Sequence, residues 1–163
     1  MKDIMKKKVV LSAYCWVVSV LCLVVLLGMF FWQHSEPNVG WPVWVLLGVV
    51  IFMCLTALLY APVSISLDGD KLTLHTSMLR KSIPVAQIAS VTLCPPTMAE
   101  GRVIGSGGFF GYYGIFREKS IGRYRAFYGK ASDCFLVTLK SGYKYMLGCQ
   151  DAPQMVEAIK RRL

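Results

Sequence analysis

The hydrophobic positions of this chain follow two contrasting patterns that change near residue 62. Residues 9–32 and 41–60 form two apolar runs without a charged side chain, whereas later positions alternate between apolar and polar. A bilayer core of about 30 Å requires about 20 helical residues, and both runs are long enough. Because a segment in lipid has to satisfy its own backbone hydrogen bonds, we expect each run to be a transmembrane helix. The pattern thus predicts a helical hairpin ahead of a folded domain.

Two other interpretations of these runs fit the sequence less well. A cleaved signal peptide has an apolar core of roughly 7–15 residues, which the run at 9–32 exceeds. The end of that run, Met29 to Trp32, also offers no small residues for cleavage. A buried helical pair in a soluble protein would need a larger surrounding domain, because about 100 further residues have too little surface to cover it.

Basic residues flank the two runs unequally. Lysines are concentrated in residues 1–8, and Lys71, Arg80 and Lys81 follow the second run, while the connecting loop at 33–40 contains neither Lys nor Arg. The positive-inside rule therefore predicts a multi-pass protein with both termini in the cytoplasm. Aromatic side chains at the ends of membrane helices act as interfacial anchors. The predicted anchors are Trp32, Trp41 and Tyr60.

The segment 63–163 is predicted to form one cytoplasmic domain that begins with strands. Apolar positions alternate on both sides of the Asp68-Gly69-Asp70 turn, and again on both sides of the turn at 140–142, so two β-hairpins are expected. The last residues instead repeat apolar positions with helical spacing. Asp151 and Gln154 stand at the spacing of a capping box at the start of this helix.

The stretch from residue 101 to 129 combines glycine, aromatic and basic residues. It matches neither the dinucleotide fingerprint nor the phosphate loop, and Tyr113 stands where an RNA-recognition strand needs Gly or Ala, so we expect no nucleic-acid binding. Two interpretations remain open. In the first, the stretch contacts anionic lipid or a partner, because the chain is basic, with a net charge of +9. In the second, glycines bend a sheet whose core the aromatic side chains fill.

These two interpretations assign roles to different residues of the stretch. The predicted surface for a protein partner or lipid comprises Arg102, Phe109, Phe110, Tyr112, Tyr113, Arg117, Lys119, Arg123 and Arg125. The predicted structural glycines are Gly105, Gly108, Gly111 and Gly114.

The run from Arg102 to Phe116, RVIGSGGFFGYYGIF, and the run from Ile121 to Tyr128, IGRYRAFY, resemble the bacterial PH-like domain proteins that follow short transmembrane hairpins. The resemblance covers roughly residues 63–163. It implies an α+β membrane protein: a transmembrane hairpin, then a PH-like antiparallel β sandwich or partly open barrel capped by a C-terminal helix. It also implies a protein of the bacterial inner (cytoplasmic) membrane.

Most members of that family have no assigned activity, so the resemblance indicates the fold better than the function. We expect a membrane-anchored binding or scaffold module that acts through protein–protein contact or self-association, with sensing of anionic lipid as the alternative. PH domains that bind phosphoinositides carry basic residues in their first strand-connecting loop. The acidic turn at 68–70 would repel phosphates, so inositol-lipid binding at that loop is not expected.

The residues themselves nominate no catalytic group, metal site or cofactor. The chain has two histidines and no C-x₂-C spacing, and its apolar runs contain no acidic residue. We therefore expect a protein that is not an enzyme, with its six cysteines reduced.

Overall fold

The computed structural model of the chain describes residues 4–35, 40–97 and 101–163. Residues 36–39 of the predicted outer loop at 33–40 lie outside this described part. Two long helices precede a β domain that ends in a third helix. The helices are α1 (Ala13–Ser35), α2 (Trp41–Tyr60) and α3 (Ala152–Lys160). The strands are β1 (Ile4–Lys8), β2 (Pro62–Asp68), β3 (Lys71–Thr76), β4 (Arg80–Pro84), β5 (Ile88–Leu93), β6 (Arg102–Gly108), β7 (Gly111–Glu118), β8 (Gly122–Tyr128), β9 (Cys134–Leu139) and β10 (Lys144–Gly148).

Helices α1 and α2 are long and apolar enough to cross a membrane, with 23 and 20 residues. Their side chains stay largely uncovered by the rest of the protein, because only 11% of the α1 window and 17% of the α2 window is buried. A helix in the core of a soluble protein would be mostly buried instead. The lengths and the exposed apolar surface together indicate a membrane-associated protein.

The strands form two sheets, as the resemblance to PH-like domains implies. The first sheet has four strands in the order β1-β2-β3-β4, and the second has six in the order β5-β9-β10-β8-β7-β6. The predicted hairpins at the turns 68–70 and 140–142 are confirmed as β2–β3 and β9–β10. One pair departs from the expected antiparallel arrangement, because β10 inserts beside β8 in parallel.

The main hydrophobic core lies between the two sheets and α3. Ile65 and Leu72 of the first sheet, Phe135 and Leu147 of the second, and Met155 of α3 are completely covered. A second apolar cluster lies on the other face of the six-stranded sheet, where the start of α1 adds a buried cysteine, Cys15. Both faces of this sheet are therefore packed, and Cys15 in the first turn of α1 belongs to the second cluster.

Helix α1 begins at Ala13 rather than at residue 9, because the residues before it are tied to the β domain. Val9 N–H donates to the Val63 carbonyl at 2.8 Å, and Ser12 N–H donates to the Gly129 carbonyl at 3.0 Å. Ser12 Oγ then accepts from Cys15 N–H at 3.2 Å. This contact is that of an N-cap residue, which starts the helix at the next position.

The basic segment predicted at 1–8 forms an edge strand in its described part. Strand β1 pairs antiparallel with β2, with Lys6 opposite Ser66. Met5 packs against the main core, while Lys6 faces solvent. The strand before α1 therefore belongs to the same sheet as the strand that follows α2.

The predicted capping box at the start of α3 is wrong. Asp151 has φ +55° and its side chain makes no capping hydrogen bond. Lys7 Nζ instead donates to Asp151 Oδ2 at 2.8 Å and to Gln154 Oε1 at 3.1 Å. Gln150 N–H also donates to the Lys8 carbonyl at 2.9 Å. The two acceptor side chains tie α3 to the N-terminal strand rather than capping the helix.

Candidate ligand-binding site

The glycines of the β6–β7 hairpin permit close backbone approaches. Gly105 and Gly114 face each other across the hairpin, with φ +136° and +131°. A Cβ atom on Gly105 would lie 2.7 Å from the Cα of Gly114 and would overlap the Tyr113 carbonyl. At the tip, Gly108 makes room for α1, since a Cβ there would lie 3.1 Å from the ring of Tyr14. A Cβ on Gly111 would lie 3.3 Å from the side chain of Leu11, which precedes α1. The hairpin is thus shaped to pack tightly against α1.

The tip of this hairpin is held on α1 by a buried serine. Ser19 Oγ donates to the Cys15 carbonyl at 2.6 Å and accepts from Phe110 N–H at 2.8 Å. Phe110 has φ +52°, a conformation that costs a side-chain-bearing residue energy. Its ring contacts Trp16 edge-on, with 6.4 Å between the ring centroids. These contacts join the glycine-rich hairpin to the first apolar helix.

The aromatic residues of the predicted surface lie mostly inside the protein. Phe109, Tyr112 and Tyr113 are each less than 8% exposed. Tyr113 stacks on Tyr60 at the end of α2, with 6.4 Å between the ring centroids. These side chains pack the sheet against the helices and offer little free surface. The other predicted anchors, Trp32 and Trp41, are 76% exposed at the far ends of the two helices.

The basic residues of the same surface lie outside and converge on one face. Arg117 stands directly opposite Arg123 in the β7–β8 pair, and Arg125 follows on the same side of β8, opposite Ile115. All three arginines are exposed. Within the described part of the chain, no carboxylate pairs with any of them. We call these three residues the arginine face.

Two further basic residues of the predicted surface contribute differently. Lys119 is exposed in the turn after β7. The side chain of Arg102 lies outside what the structure describes.

The neighbouring carboxylate, Glu118, does not neutralise the arginine face. It points to the opposite side of β7 and is 2% exposed. Its oxygens accept from Tyr124 Oη at 2.6 Å and from Thr97 Oγ1 at 3.1 Å. Burial and the hydrogen bond with Glu118 raise the pKa of the Tyr124 hydroxyl, which therefore stays a neutral donor. The carboxylate is thus occupied by an internal network.

An apolar cleft of about 820 Å³ lies between the helices and the β6–β7–β8 part of the sheet. Cys22 of α1 and the stretch from Phe52 to Tyr60 of α2 contribute to one wall, and Ile115 contributes to the other. Arg125 of the arginine face also lines the cleft and is the one cationic side chain among the described residues that line it. The arginine face and the cleft therefore adjoin each other.

The described residues offer little to catalysis or metal binding. Within them, no group of three or more His, Cys, Asp or Glu side chains is placed to hold a metal ion. The six cysteines are free. Burial raises the pKa of the Cys149 thiol to about 12 and also raises the pKa of Cys134. Both thiols are therefore protonated and poor nucleophiles at neutral pH.

Comparison with known protein families identifies the domain. A family model described as bacterial PH domain matches residues 63–163, which is more than half of the chain. The chain therefore belongs to the bacterial PH domain family. Searches against curated proteins and against solved structures found no match. PH domains are generally non-catalytic binding modules. In this chain, the two apolar helices also indicate association with a membrane.

The sequence indicated the parts of this site but not their arrangement. Alternation along β8 predicts that Arg123 and Arg125 share one face, but only the register of the β7–β8 pair places Arg117 opposite Arg123. The cleft has no sequence signal, because it is formed by helices and strands that are far apart in the chain.

Proposed function

We propose that this protein is a membrane-anchored, non-catalytic binding module whose PH-like domain binds acidic lipid headgroups at the cytoplasmic face of the bacterial inner membrane. The observation that supports the proposal is the facing pair Arg117 and Arg123. Like charges directly opposite in a sheet are destabilising. With Arg125 beside them and no carboxylate partner among the described residues, the pair suits an external anion.

The position of the domain favours lipid as the source of that anion. A single residue, Ala61, separates the end of α2 from β2. The turn between β3 and β4 rests on the same helix end, where Thr76 Oγ1 donates to the Leu59 carbonyl at 2.7 Å. Met78 and Leu79 in this turn are 64% and 46% exposed. A domain held this close to the bilayer meets headgroups before it meets a diffusing partner.

The cytoplasmic placement rests on charge and on strand pairing. The positive-inside rule favours both helix-flanking basic segments in the cytoplasm. Pairing of β1 with β2 supports the same side for both segments, since a sheet cannot form across a bilayer. The cytoplasmic leaflet carries anionic lipid, and each basic residue near it contributes about 1 kcal/mol of attraction.

The test uses the full chain in nanodiscs of phosphatidylglycerol or of phosphatidylcholine, with hydrogen exchange of residues 111–128 as the readout. We expect slower exchange in phosphatidylglycerol than in phosphatidylcholine. This protection should be lost as salt rises from 0.1 M to 1 M, because the Debye length falls from about 10 Å to about 3 Å. The double variant Arg117→Gln/Arg123→Gln should lose the protection. The variant Lys140→Gln, which removes an exposed cation on another element, should keep it.

Equal exchange in both lipids would overturn the proposal. A protein partner or self-association, the other predicted role, is an alternative outcome: protection would then depend on protein concentration and not on lipid charge. In phosphatidylcholine, the double variant should also be the more stable protein, because it removes a repulsion of roughly 0.2–1 kcal/mol.

A further inference from the structure

The cleft between the helices and the sheet has the features of a site for one lipid molecule. We infer that it binds a single anionic phospholipid, with an acyl chain along α2 and the phosphate at Arg125. This inference rests on the proposed function, because Arg125 belongs to the arginine face. It goes further in assigning a discrete, stoichiometric site where the arginine face alone implies only diffuse attraction to a surface.

The dimensions of the cleft suit an acyl chain. Its volume of about 820 Å³ falls within the roughly 300–1,000 Å³ typical of ligand sites. Its lining on α2 runs from Phe52 to Tyr60, which corresponds to about 12 Å along a helix axis. The cleft therefore extends well into the apolar part of the helical hairpin, where a water-soluble ligand would not be stable.

The lining chemistry points to a molecule with a long apolar part and one anionic group. Two polar lining side chains are already engaged, since Thr56 Oγ1 donates to the Met53 carbonyl and Ser106 Oγ donates to the Phe109 carbonyl. None of the described lining residues is acidic, so the charge of Arg125 is not compensated within the cleft.

The cleft is open to the surroundings of the helices. Phe52 on one wall and Ile104 on the other are each 68% exposed. In a bilayer, the rim at Phe52 on α2 would meet acyl chains, which are the most concentrated apolar molecules available. A lipid can thus enter sideways from the membrane without leaving the apolar phase.

The experiment measures phospholipid retained by the full chain. The protein is purified in mild detergent, stripped of lipid, and titrated with phosphatidylglycerol or phosphatidylcholine under native mass spectrometry. We expect saturation at one phosphatidylglycerol per chain. Arg125→Gln should lower the preference for phosphatidylglycerol over phosphatidylcholine about fivefold. Thr56→Phe, which fills the cleft, should reduce retention of both lipids.

Matched controls separate the cleft from general effects. Leu55→Phe adds the same ring at an exposed helix position outside the cleft lining and should retain lipid like the natural protein. Lys140→Gln removes a cation from another element and should keep the lipid preference. Unchanged retention in Thr56→Phe, or equal effects of Arg125→Gln and Lys140→Gln, would overturn the inference.

The two proposals can fail separately. The detergent titration contains no leaflet, so it reports only on the discrete site. If the nanodisc experiment shows salt-sensitive protection but the protein retains no stoichiometric lipid in detergent, the cleft site is rejected and surface docking is kept. If the protein retains one lipid in detergent but shows no exchange protection in nanodiscs, surface docking is rejected and the cleft site is kept.

Discussion

At the residue scale, paired glycines decide how the most unusual strand pair of the domain is built. Gly105 and Gly114 lie opposite each other with positive φ angles, and each occupies space that a Cβ on the other would need. An L-residue is strained at such φ values, and here it would also meet backbone, which cannot move aside. The two strands can therefore approach closely only because both positions are glycine.

We predict that Gly114→Ala lowers the unfolding free energy of the domain by about 3 kcal/mol, because it adds backbone strain and a clash. For a domain of this size, the melting temperature should fall by about 10 °C or more. Thermal unfolding of the full chain in detergent measures the change. The control is Gly101→Ala, since a Cβ there meets nothing within 4 Å and should leave the melting temperature nearly unchanged. Equal melting temperatures for the two variants would contradict this explanation of Gly114.

At the element scale, the N-terminal strand joins the apolar helical hairpin to the domain. Strand β1 precedes the first helix but covers the edge of β2 and contributes Met5 to the main core. The ion pair of Lys7 with Asp151 links the same strand to the start of α3. The family match at 63–163 leaves β1 out. A protein cut at that boundary would lack one edge of its first sheet.

We predict that deletion of residues 4–8 destabilises the domain by about 2–5 kcal/mol, because the half-buried Met5 and the β1–β2 ladder are lost together. The exposed edge of β2 should also promote aggregation. Thermal unfolding and size-exclusion chromatography in detergent measure the two effects. The variant Lys6→Gln changes the exposed side of the same strand and should be close to neutral. A deletion that behaves like Lys6→Gln would mean that β1 does not stabilise the domain.

At the scale of the whole molecule, the helical hairpin and the sheet constrain each other. The chain leaves the four-stranded sheet after β1, passes through α1 and α2, and returns to the same sheet as β2. In the proposed transmembrane arrangement, this pairing requires the helix ends that join the sheet to lie on one side of the membrane. Together with the basic flanks, this arrangement supports the proposal that the domain is cytoplasmic.

We predict that reporters fused at the N-terminus and after Leu163 are both cytoplasmic, whereas a reporter inserted between α1 and α2 is exported. Green fluorescent protein and alkaline phosphatase fusions distinguish the two locations, because each is active on one side only. Replacing Lys71, Arg80 and Lys81 by Gln should leave this topology in place, since β1–β2 pairing and the N-terminal lysines remain. Termini on opposite sides would contradict both the topology and the pairing of β1 with β2.

Local patterns were enough to predict the two apolar helices, the hairpins around the turns at 68–70 and 140–142, and the C-terminal helix. Each depends on residues that are close together in sequence, where side-chain periodicity and turn residues act directly. The strand at 4–8 was missed because its run of lysines resembles a charged tail, and because its partner strand follows two long apolar helices. The parallel pairing of β8 with β10 likewise has no local signal.

For this protein, the sequence alone determined the apolar runs, the charge asymmetry around them and the alternating strands, because these properties follow from the order of side chains. Only the tertiary structure decided how the glycine and aromatic stretch is used. Packing against α1 and α2 buried its aromatic rings, while strand register brought Arg117, Arg123 and Arg125 to one exposed face. The cleft exists only between elements that fold together from distant parts of the chain, so no local pattern could have predicted it.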